Sequence, residues 1–188
     1  MGERISKGTH VSDALIHAFS LSSKSEADFI NIVSAKDCTL VDDKGKQYLD
    51  GMASLWLCQI GHGNARVINA IKHQLDQLQT YNTFDPFTNE PAAQAAEAIR
   101  RVSPHPEGKV FLGCSGSEAV DTVLKLARMF HQRRGDSDRQ NIVRRTSGYH
   151  GVNVGGTSVQ GIEPNRVGWG DLLPHVVEIP NDDIEEAA

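Results

Sequence analysis

Apolar residues recur along this chain in two rhythms. Between Phe29 and Leu49 they come in short runs cut by a polar turn. Phe29 to Ser34 and Cys38 to Val41 read as strands, Asp42-Asp43-Lys44-Gly45 as a turn with glycine where positive φ is wanted, and Lys46 to Leu49 as a returning strand. From Ala65 to Tyr81 the spacing becomes helical, with Val67, Ile71, Leu75 and Leu78 on one stripe and Asn64 as cap. A second helix runs from Pro91, at a first-turn position that tolerates proline, to Val102, and Pro104 and Pro106 end it. Lys109 to Leu112 reads as a short buried strand. Ser117 to about Arg134 reads as a long helix with Val120, Val123, Leu124, Ala127 and Phe130 inward. Asn141 to Arg144 and Val176 to Ile179 are further strands. Residues 1 to 28 are polar, with Val11, Leu15, Ala18 and Phe19 as one modest apolar face, and read as a tail that packs on something else. Ile184 to Ala188 has the pattern of a helix start. Strand alternating with helix predicts an α/β sheet of mostly parallel strands.

Two short elements stand out from this pattern. In Phe111-Leu112-Gly113-Cys114-Ser115-Gly116-Ser117-Glu118-Ala119 an apolar strand ends, small residues turn the chain, and the long helix begins. The N–H groups of Gly116 and Ser117 then face outward at the positive end of a helix, where a phosphate is favoured. Ser115 has a second reading, as an N-cap that shares a capping box with Glu118. The other element is Gly148-Tyr149-His150-Gly151.

Size and composition narrow the classes. At 188 residues, 39% hydrophobic and 23% charged, the chain has the length of one ordinary domain and the make-up of a globular one. A net charge of -5 gives no general attraction to nucleic acid or an anionic membrane. The pairs Arg133-Arg134 and Arg144-Arg145 read as solvated surface. Three cysteines, Cys38, Cys58 and Cys114, show neither a disulfide framework nor zinc-ligand spacing, and the histidines show no metal-ligand spacing with Asp, Glu or Cys. No apolar run reaches the roughly 20 residues that span a bilayer. The N-terminus lacks the apolar core of a secretory signal. A cytoplasmic location is the expectation, with no nucleic-acid or membrane partner and no metal.

The motifs together resemble the class III aminotransferases. Ser115-Gly116-Ser117-Glu118-Ala119, with Asp121-Thr122 and Leu124-Lys125-Leu126-Ala127-Arg128, resembles their phosphate-binding turn and helix. Leu49-Asp50-Gly51-Met52-Ala53-Ser54-Leu55-Trp56 with Ile60-Gly61-His62-Gly63 resembles an upstream motif of the same family. Gly148 to Gly156, Pro164-Asn165-Arg166 and Leu172-Leu173-Pro174 look most like the ω-amino-acid:pyruvate (β-alanine:pyruvate) branch. The resemblance runs from about Ile30 to Pro180. It implies the N-terminal part of the fold-type-I transferase fold: a small-domain hairpin plus the first half of a mostly parallel large-domain sheet. Residues 1–62 would be an N-terminal segment and part of the small domain, and 63–188 an incomplete large domain that binds pyridoxal 5′-phosphate (PLP).

The resemblance also assigns roles. Ser115, Gly116 and Ser117 would hold the cofactor's phosphate; the family often has asparagine where Cys114 stands. Tyr149 would lie over the pyridine ring and reach substrate, with His150 beside it; a half-buried core tyrosine is the other reading of Tyr149. Leu55 and Trp56 would line the amino donor's side of the pocket, unless Trp56 is an ordinary core residue. Phe84 would reach a neighbouring subunit's pocket or make a plain interface contact. His62, in its Gly-His-Gly turn, reads as structural. The implied partners are a small-molecule amino donor and a keto acid, and the implied assembly is a homodimer or larger.

Catalysis in the family needs a Schiff-base lysine and an aspartate at the pyridine nitrogen. Of the eight lysines, Lys7, Lys24, Lys36, Lys44, Lys46, Lys72, Lys109 and Lys125, none stands in that context. The expectation is therefore an aminotransferase whose 188-residue chain assigns no catalytic residue and does not turn over alone. The alternative is a non-catalytic, truncated remnant that binds a phosphate ligand or docks on another subunit.

Overall fold

The computed structural model describes residues 14–21 and 23–179. The apolar Val11 and the helix start expected at Ile184 lie outside them. The chain falls into two units, residues 1–81 and 82–188.

In the first unit three antiparallel strands follow one another: β1 (Ile32–Lys36), β2 (Thr39–Asp42) and β3 (Gln47–Leu49). The first strand begins three residues later than its pattern indicates, because Glu26–Asp28 forms a helical turn and a register irregularity falls between Ile32 and Ser34. The β2–β3 turn is fixed by Asp42. Its carboxylate accepts hydrogen bonds from Lys44 N–H (3.0 Å), Lys46 N–H (2.8 Å) and the Tyr48 hydroxyl (2.9 Å), while Gly45 takes φ +80°. Four non-glycine residues of positive φ, Ala53–Trp56, form the short turn α1. Helix α2 (Ala65–Gln77) starts at Asn64, whose side chain accepts from Val67 N–H, and stops four residues short of Tyr81 because Leu78 is extended.

The second unit carries α3 (Glu90–Val102), capped by Asn89 with Pro91 in its first turn. Helix α4 (Gly116–Arg133) follows, then strand β4 (Ile142–Arg145), the short helix α5 (Val154–Val159) and strand β5 (Val176–Ile179). The pair β4–β5 is parallel and joined through α5, as the strand–helix alternation indicates. Arg144 is not the solvated cation its sequence context suggests. Its guanidinium reaches Glu178 on the neighbouring strand at 2.5 Å and donates to Gln160 O at 2.5 Å, with the side chain only 9% exposed.

Two expectations about burial fail. Lys109–Leu112 is no buried strand: among the described residues it has no ladder partner, and Phe111 and Leu112 are exposed. Strand identity comes from a partner and not from local sequence alone. On α4, Val123 and Phe130 also face out, and Val159 is the one apolar side chain buried among the described residues. The tightest packing lies instead at Gly155–Gln160, where α5 meets α4. Among the described residues no helix is long and apolar enough to cross a membrane.

Candidate functional site

The site grows from the start of α4. Ser115 is extended (φ −153°, ψ 159°) and its hydroxyl oxygen accepts from Glu118 N–H at 3.2 Å, while the Glu118 carboxylate accepts from Cys114 N–H at 2.7 Å. This is a reciprocal cap of the capping-box kind, displaced by one residue from the usual return bond to the cap itself. It uses two donors and leaves two others. Among the described residues nothing accepts from the N–H of Gly116 or Ser117, and a Cβ at Gly116 would meet nothing within 4 Å. The capping and anion readings of Ser115 are thus compatible. The side chain closes the helix end while the next two N–H groups stay open at its positive pole.

The second element arrives from the carboxyl end of β4. Four residues beyond Arg145 the chain passes Tyr149 and His150 and turns back against α4 at Gly151. Gly151 takes φ +104°, and a Cβ there would stand 2.7 Å from Ser117 Oγ and 3.0 Å from Ser117 Cα. Only glycine allows this approach. Ser117 Oγ accepts from Val152 N–H at 3.1 Å, which leaves its own proton free to donate elsewhere. Further in, Asp121 on α4 accepts from Gly156 N–H at 3.0 Å, and a Cβ on Gly156 would collide with the His150 carbonyl oxygen. The Tyr149–Gly156 loop is therefore fastened to α4 at Ser117 and Asp121.

Ser115, Gly116 and Ser117 are in this way brought together with the Tyr149–His150 loop. Tyr149 is 46% exposed, its ring not enclosed by protein. His150 borders an apolar cavity of about 350 Å³ that Val120, Leu124, Ile142 and Val159 also line. Phe84 is exposed, in a local turn where its N–H donates to Asn82 Oδ1 and not to the α4 or Tyr149 elements. Leu55 and Trp56 belong to the other unit, where both are exposed on α1. The bracket at Asp121 and the helix α5 are not legible in the sequence. Asp121 falls within the family resemblance without a role there, and Gly-Gly inside a helix argues against one.

This architecture has known counterparts. The family model for class III aminotransferases matches residues 21–188. The chain belongs to the class III aminotransferase family. The beta-alanine–pyruvate aminotransferase of Pseudomonas aeruginosa is 37% identical over 152 residues, which are 78% of this chain and 34% of that protein. The omega-amino acid–pyruvate aminotransferase of Pseudomonas putida is 34% identical over 150 residues, 80% of this chain and 33% of that one. An amine transaminase from an uncultivated Pseudomonas species, solved in its PLP-bound form, superposes with a TM-score of 0.84 at 31% identity, covering 92% of this chain and 39% of that one. The chain spans about a third of the length of the relatives it matches. Its α/β arrangement is part of the fold-type-I transaminase fold of those neighbours.

The residues present fit a phosphorylated cofactor. Two unshared N–H groups, a hydroxyl proton and a helix pole converge where the Tyr149 loop closes, without a nearby carboxylate left unpaired: Glu118 is turned to Cys114 N–H.

Proposed function

We propose that this chain supplies the phosphate anchor and ring-facing wall of a PLP-dependent transaminase. The enzyme moves an amino group from an ω-amino acid or amine to pyruvate or a related keto acid. Support comes above all from one observation: Ser117, at the open N-terminus of α4, is bonded to the loop that carries Tyr149 and His150. In this reading Gly116 and Ser117 N–H and the Ser117 hydroxyl bind the phosphate, and Ser115 keeps the helix end rigid. Tyr149 restricts the ring from one face at little entropic cost, and His150 supports it from beside. When bound, PLP supplies the electron sink for the carbon acid, and the protein supplies binding and orientation. Leu55 and Trp56 would stand on the amine side of the pocket, and Phe84 at a subunit boundary. Residues 63–188 would belong to the large domain and 1–62 to an N-terminal segment and part of the small domain. The relatives' substrates, a homodimer or larger assembly, and a cytoplasmic location with three free thiols all belong to the same proposal.

No lysine of the chain stands in the family's Schiff-base context, so the 188 residues alone should bind but not turn over. Purified chain given PLP, β-alanine and pyruvate is expected to yield no alanine above a blank. It is expected to bind pyridoxamine 5′-phosphate more tightly than pyridoxamine. Turnover that survives re-purification would overturn the first expectation, and equal affinity for the two amines the second. The alternative, a remnant that acts as a docking module, draws on the apolar residues left exposed on α4 and β4, among them Val123 and Val143. The titration above separates them: a docking module binds pyridoxamine 5′-phosphate no more tightly than pyridoxamine.

A further inference from the structure

The turn α1 has the wrong hand. Ala53, Ser54, Leu55 and Trp56 take φ of 47°, 52°, 61° and 70°, a left-handed helical turn built without a single glycine. In that conformation each Cβ crowds the following carbonyl oxygen, and L-residues normally visit it singly. Its internal bonds, such as Trp56 N–H to Met52 O (2.8 Å) and Leu57 N–H to Ala53 O (2.9 Å), also exist in right-handed turns and do not select the hand.

The selecting contact comes from outside. Ser54 N–H donates to the Asp50 carboxylate at 3.0 and 3.2 Å, and the same carboxylate lies 2.7 Å from His62 Nε2. Asp50 is nearly buried, its side chain 7% exposed. Its backbone is tied too, N–H to Cys38 O at 2.8 Å. His62 is pinned in turn by two backbone bonds with Asp37, 2.8 and 2.9 Å, the second of them accepted by its carbonyl. A rigid line thus runs from the β1–β2 corner through His62 and Asp50 to the turn that displays Leu55 and Trp56. Hydrogen bonds from His62 first, and from Ser54 N–H second, hold the Asp50 carboxyl below its usual range, as an engaged anion requires.

We propose that Asp50 and His62 are a latch that holds this strained turn and so fixes where Leu55 and Trp56 stand. They are positioning residues for the amine side of the pocket. The inference rests on the reading of Trp56 as a pocket wall. Strain that persists only because its surroundings over-determine it is the mark of such a device.

Trp56 itself can report the latch with no substrate present. The chain has two tryptophans, so Trp169→Phe leaves Trp56 alone. In that background of the full chain, Asp50→Ala is expected to lose most of the near-ultraviolet circular dichroism of Trp56, a signal that needs a fixed ring. Adding Ser54→Gly to Asp50→Ala should recover the signal in part, since glycine accepts the left-handed backbone without a latch. His62→Gln, which keeps a donor at the Nε2 position, should retain the parent signal, and His62→Ala should lose it. Should Asp50→Ala fail to fold, the two His62 variants carry the test. An unchanged near-ultraviolet signal in His62→Ala, or equal loss in the Gln and Ala variants, would overturn the latch. The pocket reading fails separately: acetophenone, the ketone that corresponds to 1-phenylethylamine, added with pyridoxamine 5′-phosphate, would leave Trp56 emission unmoved in a chain whose latch responds as expected.

Discussion

Replacing Gly116 by proline removes one atom group from the proposed phosphate cradle and little else. Gly116 is the first residue of α4, the position where proline's missing N–H breaks no helix bond and its fixed φ suits the turn. Proline also demands an extended residue before it, and Ser115 already has φ −153° and ψ 159°. A Cβ there would touch nothing within 4 Å. What is lost is a donor that no described residue uses. A hydrogen bond to a charged group contributes about 1.5–3 kcal/mol, so the Kd for pyridoxamine 5′-phosphate should rise roughly ten- to a hundredfold. Affinity for pyridoxamine, which has no phosphate, should stay put. Calorimetric titration of parent and variant with both ligands makes the measurement, and far-ultraviolet circular dichroism checks that α4 is intact. A folded Gly116→Pro variant that binds both ligands as the parent does would refute the cradle, and the open N–H groups would be ordinary helix-end donors in water.

Three further outcomes follow from the geometry. Gly151→Ala puts a methyl 2.7 Å from Ser117 Oγ at φ +104°, so it should break the Val152–Ser117 bond and destabilise the second unit by about 1–3 kcal/mol in urea unfolding; an unchanged midpoint would mean that the loop does not rest on Ser117. Leu55→Gly should stabilise the first unit by about 0.5–1 kcal/mol, the left-handed cost relieved less the entropy glycine loses on folding, and a loss of about 1 kcal/mol would show a right-handed turn instead. Acid should weaken the first unit. Asp50 is held low by His62 and Ser54 N–H. Burial pushes Asp42 up, but hydrogen bonds from Lys46 N–H, the Tyr48 hydroxyl and Lys44 N–H outweigh it and leave it low. Depressed carboxylates mean that the unfolded chain binds more protons, so the stability is present above the ordinary carboxylate pKa near 4 and is lost as pH falls below it. Urea midpoints measured from about pH 6 down to pH 3 should decline, less so in Asp42→Asn; a flat profile would contradict the assignment.

What could be read from sequence was what local chemistry dictates. The cap at Asn64, the Asp42–Gly45 turn and the start of α4 each depend on residues within four positions of one another, and they formed where those residues indicate. Arg144 could not be read, because its partners Glu178 and Gln160 are distant in sequence and come to it only through the parallel pairing of β4 with β5. Lys109–Leu112 shows the converse. Its apolar run has strand character, but pairing is a property of two segments, and no described segment lies beside it.

The site divides along the same line. Gly116, Ser117, Tyr149 and His150 announce themselves through residue type and spacing, whereas the reason they meet lies in glycines whose role is an absent Cβ. Gly151 and Gly156 look like loop flexibility in sequence, yet one lets the backbone close on Ser117 and the other on His150. The left-handed turn is less legible still. Ala, Ser, Leu and Trp have no preference for positive φ, and nothing in Ala53–Trp56 signals a reversed hand. The signal sits in residues that do not belong to the turn, Asp50 before it and His62 after it, each of which has an unremarkable local reading of its own. A strained element need not be encoded where it occurs; it can be encoded by the groups that forbid its relaxation. If so, side chains such as Asp50 and His62, which touch no ligand, determine the reach of the two side chains that would.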